Sequence, residues 1–182
     1  MRKRSFNVLM LAAMWAAMAQ VGHAQTANTL VLFGSGSGAF ETPAIASAGV
    51  ATATCTLNRT TVEMACSARV HNIVDLMAGH VHVGGPGAAG PVVLAIPGLP
   101  TRTSDDFTLS WTWKESDLTL RPAQGVLKMA DVFESCASGN CYMNFHTAAN
   151  PGGEIRINLC PQGEDNRYAN SFYQINVCAP GR

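Results

Sequence analysis

The sequence has 182 residues, 12 basic and 12 acidic side chains and 47% hydrophobic residues, which is typical of one folded domain. Its balanced charge argues against a nucleic acid or an anionic membrane as partner. It has no nucleophile elbow, phosphate loop or dinucleotide fingerprint, which argues against those enzyme classes.

The first 24 residues have the order of a secretory signal peptide. Three basic residues at positions 2–4 precede an apolar run from Phe6 to Ala19, and small residues around Ala24 offer a cleavage site. The run is shorter than the roughly 20 apolar residues of a membrane span. We therefore predict a secreted or periplasmic protein that is cut after Ala24 and has no transmembrane segment.

Residues 25–49 are predicted to form a flexible N-terminal segment. They are rich in Ala, Ser, Gly and Thr, and only Leu30–Phe33 has the pattern of a strand. The glycine–serine stretch Gly34–Gly38 follows it directly. We expect an edge strand and a mobile loop.

From residue 50 to residue 160 the pattern is that of an antiparallel β domain. Apolar and polar residues alternate with a period of two, or form short apolar runs, in segments 53–57, 62–70, 78–83, 91–96, 107–113, 142–146 and 154–159. Polar turns join the first two segments and the last two into hairpins. Between Gln124 and Phe133 the spacing changes to that of a short amphipathic helix. The prediction is an all-β antiparallel sandwich or barrel with one short helix.

All six cysteines follow the predicted signal peptide, and an even number in an exported chain indicates a disulfide framework. Six cysteines allow 15 connectivities, and their order suggests sequential pairing. A zinc site is the alternative, although no Cys-x-x-Cys pair occurs. The expected bridges, of which the last ties down the tail 161–182, are Cys55–Cys66, Cys136–Cys141 and Cys160–Cys178.

Two segments of the chain resemble the CHRD (chordin-type) domain family. The first runs from Gly79-His80-Val81-His82-Val83 through a glycine–proline loop to Val93, and the second joins Tyr142–Thr147 to Asn150–Arg156. The chain departs from the family in having Ile157, where a glycine often stands, and in its extra cysteines.

The resemblance covers roughly residues 50–160 and implies an immunoglobulin-like β-barrel with a distant likeness to copper/zinc superoxide dismutases. It implies no settled activity. Such domains occur in chordin, an extracellular antagonist of growth factors, and in many bacterial exported proteins.

Three histidines fall inside the two segments that carry the resemblance. Strand alternation turns Val81 inward and places His80 and His82 together on the outer face, about 6.5–7 Å apart at the backbone. The same alternation turns Met143 inward and His146 outward. If the strands are neighbours, the three imidazoles meet under loops such as 84–90, and three imidazoles suit copper, zinc, iron or nickel. The dismutases hold copper with a His-x-His strand and a further histidine, so this likeness favours copper.

We therefore predict an exported module that binds copper through His80, His82 and His146, and we expect no catalytic residues. One alternative is an extracellular or periplasmic protein-interaction or structural module, in which these histidines only bond loop carbonyls. A dismutase-like redox enzyme is a weaker alternative, because no clear bridging histidine or zinc-binding aspartate loop is present.

Three other polar residues have simpler interpretations. His71 is expected at the surface. Glu154 and Arg156 lie one strand period apart and are predicted to form an ion pair that supports their hairpin. The alternative is that Arg156 guides an anion to the histidines.

Overall fold

The structure is a computed structural model that describes residues 28–99 and 106–162. Within these ranges the chain forms nine strands and one α-helix. The strands are β1 (Thr29–Ser37), β2 (Val50–Asn58), β3 (Glu63–His71), β4 (Leu76–Val83), β5 (Val92–Ala95), β6 (Asp106–Trp113), β7 (Cys141–Thr147), β8 (Ile155–Asn158) and β9 (Cys160–Gln162), and the helix is α1 (Met129–Ala137).

The strands join one antiparallel sheet that is nearly closed into a barrel. The strand order is β5-β4-β7-β8-β1-β2-β3-β6. Strand β9 lies outside this order and pairs with β1 on the same side as β8. The inward residues of this sheet form one apolar core, and α1 packs against β4, β7 and β9. The predicted all-β antiparallel architecture with one short helix is confirmed.

The hairpin of β2 and β3 shows how alternation builds the sheet. Every second residue of both strands is buried, and the residues between them are mostly exposed. Cys55 and Cys66 lie directly opposite each other and are bonded. The predicted hairpin and its disulfide are therefore confirmed.

Strand β1 is not the edge strand that the sequence predicts. It pairs along its whole length with β2 and on its other side with β8 and β9. The glycine–serine stretch continues this strand up to Ser37 and is not a loop. A Cβ at Gly34 would collide with the backbone oxygen of Asn158, and one at Gly36 with that of Arg156. These glycines let two backbones approach closely, so the prediction of a loop is wrong.

The helix is present but lies later in the chain than predicted. A short 3-10 turn occupies Pro122–Gln124, and Gly125 ends it with a positive φ of 74°. The helix begins only at Met129, where the Asp131 carboxylate accepts hydrogen bonds from the backbone N–H groups of residues 127 and 128. The predicted bounds 124–133 are therefore wrong.

The second predicted disulfide, Cys136–Cys141, is also confirmed and ties the last turn of α1 to the start of β7. Cys160 is disulfide-bonded as well. Its expected partner Cys178 lies outside the described residues, as do the predicted signal peptide and residues 163–182.

Candidate metal centre

Strands β4, β7 and β8 lie side by side and turn polar side chains to their outer face. His80 lies opposite Asn144, and His82 lies opposite Tyr142. His146 is further along β7, opposite Ala78, and is therefore diagonal to His80. The alternate positions are fully buried in the core, and they include Val81, Met143 and Phe145.

The three imidazoles converge on the outer face, as the alternation predicts. His80 Nδ1 and His146 Nε2 are 3.0 Å apart, and the ring centroids of His80 and His82 are 5.8 Å apart. One ring nitrogen from each residue lies within 4.8 Å of the other two. Two nitrogens held about 2.0–2.1 Å from one metal are at most about 4.2 Å apart, so the widest pair would have to close by at least about 0.6 Å.

Two backbone carbonyls fix the tautomers of His82 and His146. His82 Nδ1 is 2.9 Å from the carbonyl oxygen of Gly90, and His146 Nδ1 is 3.0 Å from that of Pro151. Because a carbonyl only accepts, each Nδ1 carries the proton and donates it. Each Nε2 therefore has a lone pair in place of a proton, which is the usual arrangement of a metal-binding histidine.

The Nε2 of His82 is the most informative atom of the cluster. It is buried and has no hydrogen-bond partner among the described residues. Buried polar atoms are nearly always partnered, so such an atom requires an explanation. His80 and His146 are partly exposed, whereas His82 is only 9% exposed. The cluster is therefore shielded from solvent at His82 and accessible to solvent at His80 and His146.

The loop 84–90 closes the site on the His82 side, as expected from the sequence. The Tyr142 ring stacks on His82 with 4.6 Å between centroids and 10° between planes. The Tyr142 hydroxyl accepts a hydrogen bond of 3.1 Å from Gly90 N, and the carbonyl of the same glycine binds His82. One glycine therefore links the loop to both aromatic side chains.

Arg156 binds the loop 84–90 through its guanidinium group. Its guanidinium lies 3.5 Å from the Tyr142 ring centroid and donates to Gly85 O at 2.7 Å and to Ala88 O at 3.0 Å. The residue is only 1% exposed. Because its donors face protein acceptors under a loop, the interpretation of Arg156 as an anion guide is wrong.

Glu154 does not form the predicted ion pair with Arg156. Its carboxylate accepts hydrogen bonds from the Thr147 hydroxyl and, at 2.6 Å, from the Ser47 hydroxyl. Burial alone would raise the pKa of Glu154, but hydrogen bonds from Ser47, Thr147 and Asn150 outweigh it and leave the pKa lowered. The carboxylate ties the loop before β2 to β7, a contact that no sequence pattern indicated.

The environment keeps the three histidines neutral. Burial, with help from His146 and His82, lowers the pKa of His80 to about 4. Burial also lowers the pKa of His82 and of His146, although the Gly90 and Pro151 carbonyls each act in the opposite direction. Neutral imidazole is the form that binds a metal.

His71 lies apart from this cluster, at the end of β3. Its Nδ1 is 3.2 Å from the Asp106 carboxylate, and its side chain is 35% exposed. The expectation of a surface position agrees with this partly exposed side chain.

Comparison with known proteins gives one match. A family model described as CHRD domain matches residues 34–158, a range that begins inside β1, ends with β8 and contains all three clustered histidines. No curated protein and no solved structure gives a significant match. Within residues 28–99 and 106–162, no helix is both long enough and apolar enough to cross a membrane.

Proposed function

This chain belongs to the CHRD domain family, and from that premise we propose that it is an exported module which binds a copper ion through His80, His82 and His146. The observation that carries the proposal is the buried Nε2 of His82, which has no partner among the described residues, in a residue that offers one ring nitrogen within 4.8 Å of those of His80 and His146. A metal ion would satisfy this atom.

The geometry assigns one ligand atom to each histidine. His82 and His146 would bind through Nε2, because their Nδ1 protons are engaged by loop carbonyls. His80 would bind through Nδ1, which already faces His146 Nε2 at 3.0 Å. Without metal, the His80 Nδ1–H group donates a hydrogen bond to His146 Nε2. On binding, the His80 proton would move to Nε2 of the same ring, which frees Nδ1 for the ion.

Several metals accept imidazole ligands, including copper, zinc, iron and nickel. Copper is favoured by the likeness of the His-x-His strand and third histidine to the dismutase copper site. The partly exposed positions of His80 and His146 leave one side of the site open to exchange of the ion. This supports a role as a copper carrier or buffer.

Export is supported by the composition of the first 24 residues and by the disulfides. The disulfides and the family are consistent with a location outside the cytoplasm. We propose that the protein acts in the periplasm or is secreted.

The second candidate function is an interaction or structural module without metal. It is favoured by the bonds from His82 to Gly90 and from His146 to Pro151, which fix two surface loops without any ion. A dismutase-like activity has no comparable support, since Arg156 is buried beneath a loop.

Copper titration of two histidine variants distinguishes these functions. His82→Ala removes the deepest ligand itself and should weaken copper binding by more than the roughly 10–100-fold that loss of an outer-shell partner typically costs. His71→Ala is the matched control, because His71 lies outside the cluster and should leave the affinity unchanged. Equal copper affinity in all three proteins would favour the module without metal.

A further inference from the structure

We infer that this site holds copper as Cu(I) in preference to Cu(II), because its ligands are neutral and two arginines flank the strands that carry them. The inference rests on the proposed copper binding and specifies the oxidation state of the ion that the site carries.

The first argument is the charge of the ligands. The cluster consists of three histidines, and two of them are held as neutral Nε2 donors by the carbonyls of Gly90 and Pro151. A bound ion would keep its full charge in a partly buried site. The desolvation cost of an ion rises steeply with its charge, so a doubly charged ion loses more than a singly charged one.

The second argument is the position of Arg156. Its guanidinium and the His82 ring both stack on Tyr142, with centroid distances of 3.5 Å and 4.6 Å. Two planar groups at such distances cannot share one face of the ring, so they occupy opposite faces. A buried cation is therefore separated from a ligand ring by a single aromatic ring.

The charge of Arg156 is only partly compensated. Its hydrogen bonds go to neutral acceptors, namely two loop carbonyls, the Asn158 amide oxygen and the Thr42 hydroxyl. Glu41 is the carboxylate that acts on it most directly. The Glu41 carboxylate accepts a hydrogen bond of 2.6 Å from Asn144; burial raises its pKa, and the charge of Arg156 acts in the opposite direction.

A second cation acts from the other side of the site. Arg121 donates from Nε to Val92 O at 2.8 Å, and Val92 pairs with His82 across β4 and β5. Arg121 beside β5 and Arg156 on β8 therefore flank β4 and β7, the two strands that carry the histidines. Repulsion from these two charges is twice as large for Cu(II) as for Cu(I).

The number of protein ligands also favours Cu(I). Cu(II) prefers tetragonal sites, whereas the cluster supplies three nitrogens. The charge and dielectric of the surrounding shell control the potential of a bound metal. The charge of the ligands, the two arginines and the number of ligands therefore all favour Cu(I).

The test measures two dissociation constants for the purified protein. Competition with bicinchoninate, under ascorbate and without oxygen, gives the constant for Cu(I). Competition with nitrilotriacetate, without reductant, gives the constant for Cu(II). We expect tighter binding of Cu(I). Failure to bind either ion would overturn the proposed function, whereas tighter or equal binding of Cu(II) would overturn only the preference for Cu(I).

Three variants test the cause of the preference. Arg121→Gln and Arg156→Gln each remove one charge near the site and should reduce the preference for Cu(I) by about 3- to 10-fold. Arg59→Gln is the matched control, since its charge is paired with Glu134 and it lies in the turn between β2 and β3, which are not neighbours of β4 or β7. If Arg156→Gln fails to fold, Arg121→Gln decides the question. An unchanged preference in Arg121→Gln would overturn the inference.

Discussion

At the scale of single residues, the histidine cluster is defined by which nitrogen of each ring carries a proton. Gly90 and Pro151 select the Nδ1–H tautomers of His82 and His146. Each of these carbonyls therefore fixes the orientation of one imidazole ring. The site is therefore organised without a metal, which reduces the conformational cost of binding one.

The lowered pKa values predict how the metal-free protein responds to acid. The unfolded chain takes up protons on histidine near pH 6.5, whereas folded His80 stays neutral until about pH 4. The unfolded state therefore binds more protons in this window, and the free energy of unfolding should decrease as the pH falls from about 6.5 to 4.

Denaturant unfolding at a series of pH values measures this slope. His80→Gln removes one of the perturbed groups and should make the slope smaller. A stability that stays constant between pH 6.5 and 4 would contradict the burial argument. If copper binds as proposed, the same lowered pKa values predict that its affinity persists below pH 6.5, the unperturbed histidine value.

Strand alternation was enough to predict which histidines share the outer face of the sheet. His80, His82 and His146 follow from a period of two, because Val81 and Met143 have to face the core. The partners of Arg156 and Glu154 were not predictable. They lie on loops far away in sequence, at Gly85, Ala88 and Ser47, and only the folded chain brings them close.

At the scale of elements, β1 shows where composition misleads. Gly34 and Gly36 resemble a flexible linker in the sequence, yet they are the positions where β1 and β8 approach most closely. The helix was misplaced for a related reason, since Gly125 ends a separate turn before α1 begins. In both cases the neighbouring residues do not indicate what the glycine does. Gly34 and Gly36 allow two strands to approach closely, and Gly125 ends a turn.

The close approach of β1 to β8 can be tested by adding one methyl group. Gly36→Ala places a Cβ against the backbone of Arg156, which cannot move without disturbing β8. We expect a loss of about 1–3 kcal/mol in the free energy of unfolding, measured by denaturant titration. Gly152→Ala is the control, because an added Cβ there has nothing within 4 Å. Equal stability of the two variants would contradict the described pairing.

At the scale of the whole molecule, the sheet places β4, β7 and β8 next to each other. The apolar core holds the inner face of β4, β7 and β8, and the loops cover the outer face. The disulfide between β2 and β3 and the one between α1 and β7 stiffen the two sides of this sheet. An oxidising compartment is the environment in which such bridges persist.

Processing of the whole chain gives a prediction of its own. The exported protein should begin at Gln25 and carry the disulfide Cys160–Cys178 in addition to the two bridges already described. Intact-mass measurement and non-reducing peptide mapping test both points. Retention of residues 1–24, or a free thiol at Cys178, would contradict them.

The most direct test of the central claim is a crystal structure of the copper-loaded protein with anomalous scattering measured at the copper edge. We predict one copper peak about 2.0–2.1 Å from His80 Nδ1, His82 Nε2 and His146 Nε2. A copper peak elsewhere, or a cluster that stays as it is in the metal-free protein with copper in excess, would contradict the claim.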